Sequence, residues 1–81
     1  MSINDRILSR AEQLRQSSQN DLEKARNSTD TAKVKHLARV QLLNAACAYG
    51  AFMDSCVHDY DLAMKFSDTL ETAAIFFTYH K

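Results

Sequence analysis

The chain has 81 residues with ten acidic and ten basic side chains, which bounds it to one small domain with a thin core and argues against extended disorder. It contains no proline and a single glycine, Gly50, so the backbone has few places to turn and an almost entirely helical protein is predicted. No apolar run approaches the roughly 18 residues that a membrane span needs, and the polar start lacks the apolar segment of a signal peptide, so we expect a cytoplasmic protein.

The formal net charge of zero conceals an uneven distribution along the chain. Residues 1–41 contain eight Lys and Arg against five Asp and Glu, a net charge of +3, whereas residues 42–81 contain two against five, a net charge of −3. This asymmetry favours head-to-tail pairing or a charged partner. By itself it is too weak to indicate nucleic-acid binding.

The first predicted helix covers residues 3–26. Ser2 and Asp5 have the spacing of a capping box at its start, with Asp in place of Glu. Apolar or small side chains then recur every three or four residues and form one narrow stripe: Ile3, Ile7, Ala11, Leu14, Ser18, Leu22 and Ala25. The other positions are polar, so we expect this helix to bury a single seam at the edge of a bundle.

A turn at residues 27–30 separates this helix from a second one, predicted over residues 31–57. The turn, Asn27-Ser28-Thr29-Asp30, consists of residues that favour turns and helix N-caps. One side of the second helix is marked by Val34, Leu37, Val40, Gln41, Ala45, Ala48, Phe52 and Cys56. Because Gly50 costs about 1 kcal/mol inside a helix, we expect a close helix contact or a bend there.

The third predicted helix covers residues 61–79, after a break at residues 58–61 where two aspartates can act as N-caps. The alternative is one continuous helix over residues 31–79, which only an oligomer would bury. The core stripe of the third helix is Leu62, Phe66, Leu70, Ala73 and Phe77. Further apolar side chains lie off that stripe, and a helix that is apolar on two sides needs two partners.

These elements predict an all-α fold in one domain, residues 1–81. It is either a three-helix bundle or a helical hairpin with a third C-terminal helix. Three helices of this size cover only one face of the third helix, so we expect self-association, as a homo-oligomer, or a hetero-complex.

No motif in the sequence is specific enough to indicate an enzyme, a cofactor site or a metal site. Asp54, His58 and Asp61 would share one face of a continuous helix, a spacing that suits metal binding or acid–base chemistry. Such sites take ligands from a second element as well, so we interpret these residues as a solvated polar face. Cys47 and Cys56 would lie about 13 Å apart in one helix, too far for a disulfide, and reduced, half-buried thiols are predicted.

Helix-mediated protein binding is the function that the pattern favours. Aromatic side chains on the third helix are typical anchors of protein interfaces, and small residues on the second would let a partner helix approach closely. The predicted partner-binding residues are Phe66, Leu70, Phe76, Phe77, Tyr79, Ala46 and Gly50. The same side chains would alternatively close the core of a homodimer.

Two groups of basic side chains support a second, less favoured hypothesis: a small nucleic-acid-associated regulator or a phage-type inhibitor protein. They are Arg6 and Arg10 on the first helix and Lys33, Lys35 and Arg39 on the second. If these helices pack antiparallel, the two groups lie apart and acidic residues interrupt them, which dilutes the basic surface that nucleic-acid binding needs.

The first two helices together resemble the small hairpin co-chaperones of type III secretion needle subunits. The corresponding parts are residues 11–26, the turn at 27–30 and residues 35–60 with the core Leu42-Leu43-Asn44-Ala45. The resemblance covers residues 8–60, leaves the last segment as an additional helix, and has no motif to transfer residue by residue. It implies a cytoplasmic bacterial protein that stabilises a second chaperone and masks an aggregation-prone secreted subunit.

Overall fold

A computed structural model of the chain describes residues 2–81 and contains three helices. They are α1, Ile3–Arg26; α2, Thr31–Asp54; and α3, Tyr60–His80. Residues 2–81 include no β-strand, and the three helices pack into a bundle that measures 42 × 21 × 15 Å. The predicted all-α fold with three helices is confirmed.

Each helix begins at a polar side chain that caps it. Ser2 accepts a hydrogen bond from the backbone N–H of Asp5 at 3.1 Å, and the Asp5 carboxylate accepts one from the backbone N–H of Ser2, which completes the capping box. Asp30 caps α2 and Asp59 caps α3, each through its carboxylate. These caps satisfy N–H groups that have no partner inside the helices.

The end of α2 differs from the prediction. The helix ends at Asp54 rather than at residue 57. The fully buried Ser55 follows, and its hydroxyl donates to the Phe52 carbonyl at 2.6 Å. Cys56 follows with a φ of 59°, the left-handed conformation that ends many helices. One continuous helix over residues 31–79 is therefore wrong, and both cysteines are exposed rather than half-buried.

The core lies along the line where the three helices meet, and alanine supplies much of it. Ala11, Ala25, Ala38, Ala45, Ala48 and Ala73 are each no more than 2% exposed. Such small side chains let the helix axes approach closely. The rings of Phe52 and Phe66 stack with their centroids 4.8 Å apart. Phe66 is 1% exposed, which confirms its place in the predicted core stripe of the third helix and makes its predicted role in binding a partner wrong.

The close contact expected at Gly50 is absent within residues 2–81. Gly50 faces solvent, and a Cβ at this position would meet no atom within 4 Å. Ala46 is exposed as well, whereas Ala45 and Ala48 are buried against the other helices. The small residues were correctly expected to allow close packing, but the helical phase assigns that role to Ala45 and Ala48.

The helices are joined as two consecutive antiparallel pairs. α1 packs along α2, and α3 returns along α2, but α1 and α3 make few contacts with each other. A hydrogen bond from Ser18 to Gln41 links the first pair, and one from Gln41 to Ala73 links the second. The weak contact between α1 and α3 leaves an open cleft between them.

Candidate functional site

The candidate site is this cleft, which has a volume of about 420 Å³. Its α1 wall consists of Arg15, Ser18, Gln19, Leu22, Glu23 and Arg26, and its α3 wall of Lys65, Asp68, Thr69 and Thr72. Gln41 of α2 lies at its floor and is fully buried. The volume lies in the range of pockets that hold small ligands or the side chains of a partner.

Gln41 joins all three helices. Its Nε2 donates to the Ala38 carbonyl at 2.9 Å and to the Ala73 carbonyl at 2.7 Å, and its own backbone carbonyl accepts from Ser18 Oγ at 2.7 Å. The two carbonyl acceptors fix the orientation of the amide, because the reversed amide would set Oε1 against two carbonyl oxygens. The side chain therefore presents only an acceptor, Oε1, to any further group.

Gln41 Oε1 is buried and receives no hydrogen bond from residues 2–81. Two hydroxyl groups that line the cleft donate elsewhere: Ser18 to the Gln41 backbone carbonyl, and Thr69 to the Lys65 carbonyl at 2.9 Å. A buried acceptor without a partner costs about 1–3 kcal/mol. A hydrogen-bond donor that reached Oε1 would recover part of that free energy.

The charges that line the cleft are close to balance. Arg15 is 8% exposed and pairs with Glu12 one turn earlier on α1, with Nε donating to Oε2 at 2.9 Å. The hydrogen bond from Arg15 lowers the pKa of Glu12, and the same bond raises the pKa of Arg15. The other charged side chains in the lining are Arg26, Lys65, Glu23 and Asp68. A neutral donor therefore suits the site better than a charged one.

Toward the C-terminal end of α3 the cleft continues into a more apolar section. Arg26 and Thr72 border both parts, and Ile75, Phe76 and Tyr79 supply the apolar lining. Ile75 is 51% exposed and Tyr79 is 81% exposed. Large side chains this exposed are available to a partner.

The structure separates the residues of α3 that were predicted to bind a partner. Phe76 and Tyr79 line the apolar section of the cleft. Leu70 and Phe77 are partly buried and lie outside its lining, and Phe66 is in the core. Two of these five side chains therefore belong to the candidate site.

The two predicted binding residues of α2 lie elsewhere. Ala46 and Gly50 are on the outward face of α2, opposite the side that carries Gln41. Leu43 and Met53 lie on the same outward face and are 63% and 61% exposed. These residues form a second surface that does not join the cleft.

The two basic groups are also separated. Arg6 and Arg10 lie in the first turns of α1, beside the end of α2, whereas Lys33, Lys35 and Arg39 lie in the first turns of α2. Because these helices are antiparallel, the groups lie toward opposite ends of the 42 Å molecule. They do not form one basic surface of the kind that binds a nucleic-acid backbone.

Asp54, His58 and Asp61 do not share one helical face, because α2 ends at Asp54 and His58 lies in the connection that follows. All three side chains are exposed, as the interpretation of a solvated polar group predicted. Within residues 2–81, no three His, Cys, Asp or Glu side chains are grouped closely enough to hold a metal ion. Over the same residues, none of the helices combines the length and apolar character that crossing a membrane requires.

Comparison with known proteins found no matching family model, no similar curated protein and no similar solved structure. The chemistry of the cleft is therefore the basis on which a function can be assigned.

Proposed function

We propose that this protein is a non-enzymatic interaction module that takes an amphipathic helix of a partner protein into the cleft between α1 and α3. The observation that supports it most directly is that Gln41 lines a cleft with an apolar section, while its buried Oε1 receives no hydrogen bond from residues 2–81. α1 and α3 make few contacts with each other. A helix laid between them would complete a four-helix arrangement.

The cleft defines the chemistry of the helix that it would bind. The partner would set apolar side chains against Ile75, Phe76 and Tyr79 and a neutral donor, such as the amide of Asn or Gln, against Gln41 Oε1. The polar part of the α3 wall centres on Thr69 and the apolar part on Phe76, seven residues further on. The donor and the apolar anchor would therefore be about two helical turns, or about 10 Å, apart on the partner.

The most specific form of this proposal is a cytoplasmic bacterial co-chaperone or adaptor of a type III secretion system. The hairpin of α1 and α2 is the part that resembles such co-chaperones, and α3 would be an addition that supplies one wall of the cleft. Covering the amphipathic helix of an aggregation-prone subunit is a task that the cleft's mixed polar and apolar lining suits.

Affinity capture with matched variants would test this proposal. Ile75→Arg places a charge in the apolar section, whereas Ile3→Arg makes the same change at a side chain 73% exposed at the start of α1. We expect the wild type and Ile3→Arg to capture the same stoichiometric protein from the native host at moderate salt, and Ile75→Arg to lose it.

The captured protein would then be titrated against the purified chain by calorimetry. At least a tenfold weaker affinity of Ile75→Arg, with an unchanged melting curve, supports binding in the cleft. Equal affinity of all three chains would rule the cleft out as the binding site. Recovery of nucleic acid that dissociates between 50 and 200 mM salt would favour the alternative regulator function instead.

A further inference from the structure

The outward face of α2 is a second apolar surface, and it lies on the side of α2 opposite the cleft. Leu43, Ala46, Cys47, Gly50 and Met53 recur along it at helical spacing, and all five are exposed. No atom of residues 2–81 lies within 4 Å of a Cβ placed on Gly50. The face is therefore accessible and unpartnered within the described chain.

This face is complementary to a copy of itself. Leu43 and Met53 lie five residues to either side of position 48, and Ala46 and Gly50 lie two residues to either side. A two-fold axis at this point sets Ala46 against Gly50 of the second copy and Leu43 against its Met53. The small pair allows the two helices to approach closely, and the large pair flanks the crossing.

Charge selects the antiparallel arrangement that this symmetry requires. In the folded bundle, basic and acidic side chains are also distributed unevenly along the long axis of the molecule. The half around the α1–α2 connection, residues 15–41 and 70–81, contains seven Lys and Arg and four Asp and Glu, whereas the other half contains three and six. On the face itself Lys35 and Arg39 lie at one end and Asp54 at the other, all exposed.

A second copy in antiparallel orientation brings each basic half beside an acidic half, whereas a parallel copy would bring like charges together. We propose that the protein forms an antiparallel homodimer through the outward face of α2. This inference does not depend on what the cleft binds. Since the cleft lies on the other side of α2, the dimer would present two clefts and act as a bivalent module.

Sedimentation equilibrium of the full chain over a range of concentrations would test the dimer. We expect a reversible rise from the chain mass of 9.2 kDa to twice that value. Gly50→Arg should weaken dimerisation at least tenfold, and its helical spectrum should be unchanged. Ala74→Arg makes a comparable change at an exposed position of α3 and should leave dimerisation as in the wild type.

A charge exchange tests the orientation. Arg39→Glu and Asp54→Lys should each weaken the dimer, and the double variant should recover most of the lost affinity, because the exchanged charges again oppose each other across the two-fold axis. A parallel dimer would instead show no recovery in the double variant.

The two exposed cysteines provide an independent probe of the same interface. A short bis-maleimide should link two copies through Cys47, which lies on the face next to the two-fold axis, and should do so in the Cys56→Ser variant but not in Cys47→Ser. A monomeric mass at all concentrations up to the millimolar range would overturn the proposal. So would a dimer that forms equally well in Gly50→Arg.

Discussion

Ser18 and Gln41 join α1 to α2 through one buried hydrogen bond, in which Ser18 Oγ donates to the Gln41 backbone carbonyl at 2.7 Å. Ser18 is 1% exposed, and its neighbour Ser17 faces solvent. The carbonyl of Gln41 lies within α2, so the hydroxyl adds a second hydrogen bond to an oxygen that a helix already uses.

We expect Ser18→Ala to lower the free energy of unfolding by about 1 kcal/mol, the net value of one buried hydrogen bond. Ser17→Ala should be neutral or slightly stabilising, because alanine is the better helix former. Urea unfolding followed by circular dichroism would measure both. If the two alanine variants were equally stable, the hydrogen bond would contribute nothing to the packing of α1 on α2.

We expect Gln41 to contribute to partner binding rather than to the stability of the fold. Gln41→Leu removes the unpaired Oε1, and the Ala38 and Ala73 carbonyls that lose a donor still accept from their own helices. We expect Gln41→Leu to change the free energy of unfolding by less than about 1 kcal/mol while weakening partner binding. Gln41→Glu should cost about 3 kcal/mol or more, since it buries a carboxylate against two carbonyls.

The same unfolding experiment would separate these outcomes, with calorimetric titration of the captured partner for the binding step. A loss of more than about 2 kcal/mol in Gln41→Leu would mean that the two hydrogen bonds donated by the amide are needed for stability.

The sequence predicts most of the α1 seam well, but Ile3 at its start is 73% exposed rather than buried, and one buried member of the seam is missed. Ala11, Ser18, Leu22 and Ala25 are buried as expected, because helical periodicity depends only on local geometry. Arg15 is also buried, although its charge favours an exposed position. The sequence feature that indicates its burial is Glu12 three residues earlier, since a guanidinium can be buried where it forms an ion pair with a carboxylate.

The cleft itself could not be predicted from local patterns. It exists because α3 packs on α2 more than on α1, a tertiary choice that the phase of one helix does not encode. Gln41 was correctly placed on the core side of α2. Its unpaired oxygen becomes apparent only once Ala38 and Ala73 are seen to take both of its hydrogens.

Gly50 weakens α2 without providing a close contact inside the chain. Since a Cβ there meets no atom within 4 Å, Gly50→Ala should raise the free energy of unfolding of the dilute protein by about 0.5–1 kcal/mol. Thermal and urea unfolding at low micromolar concentration would show this. The opposite sign would indicate a contact or a bend that the glycine is needed for.

Cys56 and Cys47 should respond oppositely to the same substitution. Cys56 has a φ of 59°, a conformation that glycine adopts without the steric penalty of a Cβ, so Cys56→Gly should stabilise by about 1 kcal/mol. Cys47 lies in the interior of α2, where glycine costs a few tenths to about 1 kcal/mol. The free energies of unfolding of Cys56→Gly and Cys47→Gly, measured under reducing conditions, would test these opposite effects. Equal destabilisation would mean that Cys56 is not held in the left-handed region.

The pairing of Glu12 with Arg15 should make stability depend on pH in acid. The hydrogen bond from Arg15 lowers the folded pKa of Glu12 below its ordinary value of 4.5. Its contribution is therefore complete above pH 4.5 and is lost as the pH falls through the lowered folded pKa. Because the Glu12 side chain is 38% exposed, the effect should be small and should weaken with salt.

Free energies of unfolding measured from pH 2 to 7 for the wild type, Glu12→Gln, Arg15→Met and the double variant would isolate this contribution. Arg15→Met keeps much of the buried stem and removes the guanidinium. The interaction energy from the double-mutant cycle should be constant above pH 4.5 and fall toward zero in acid, as Glu12 takes up a proton in the folded state as well. An interaction energy that does not change with pH would show that the two side chains are coupled through packing rather than through charge.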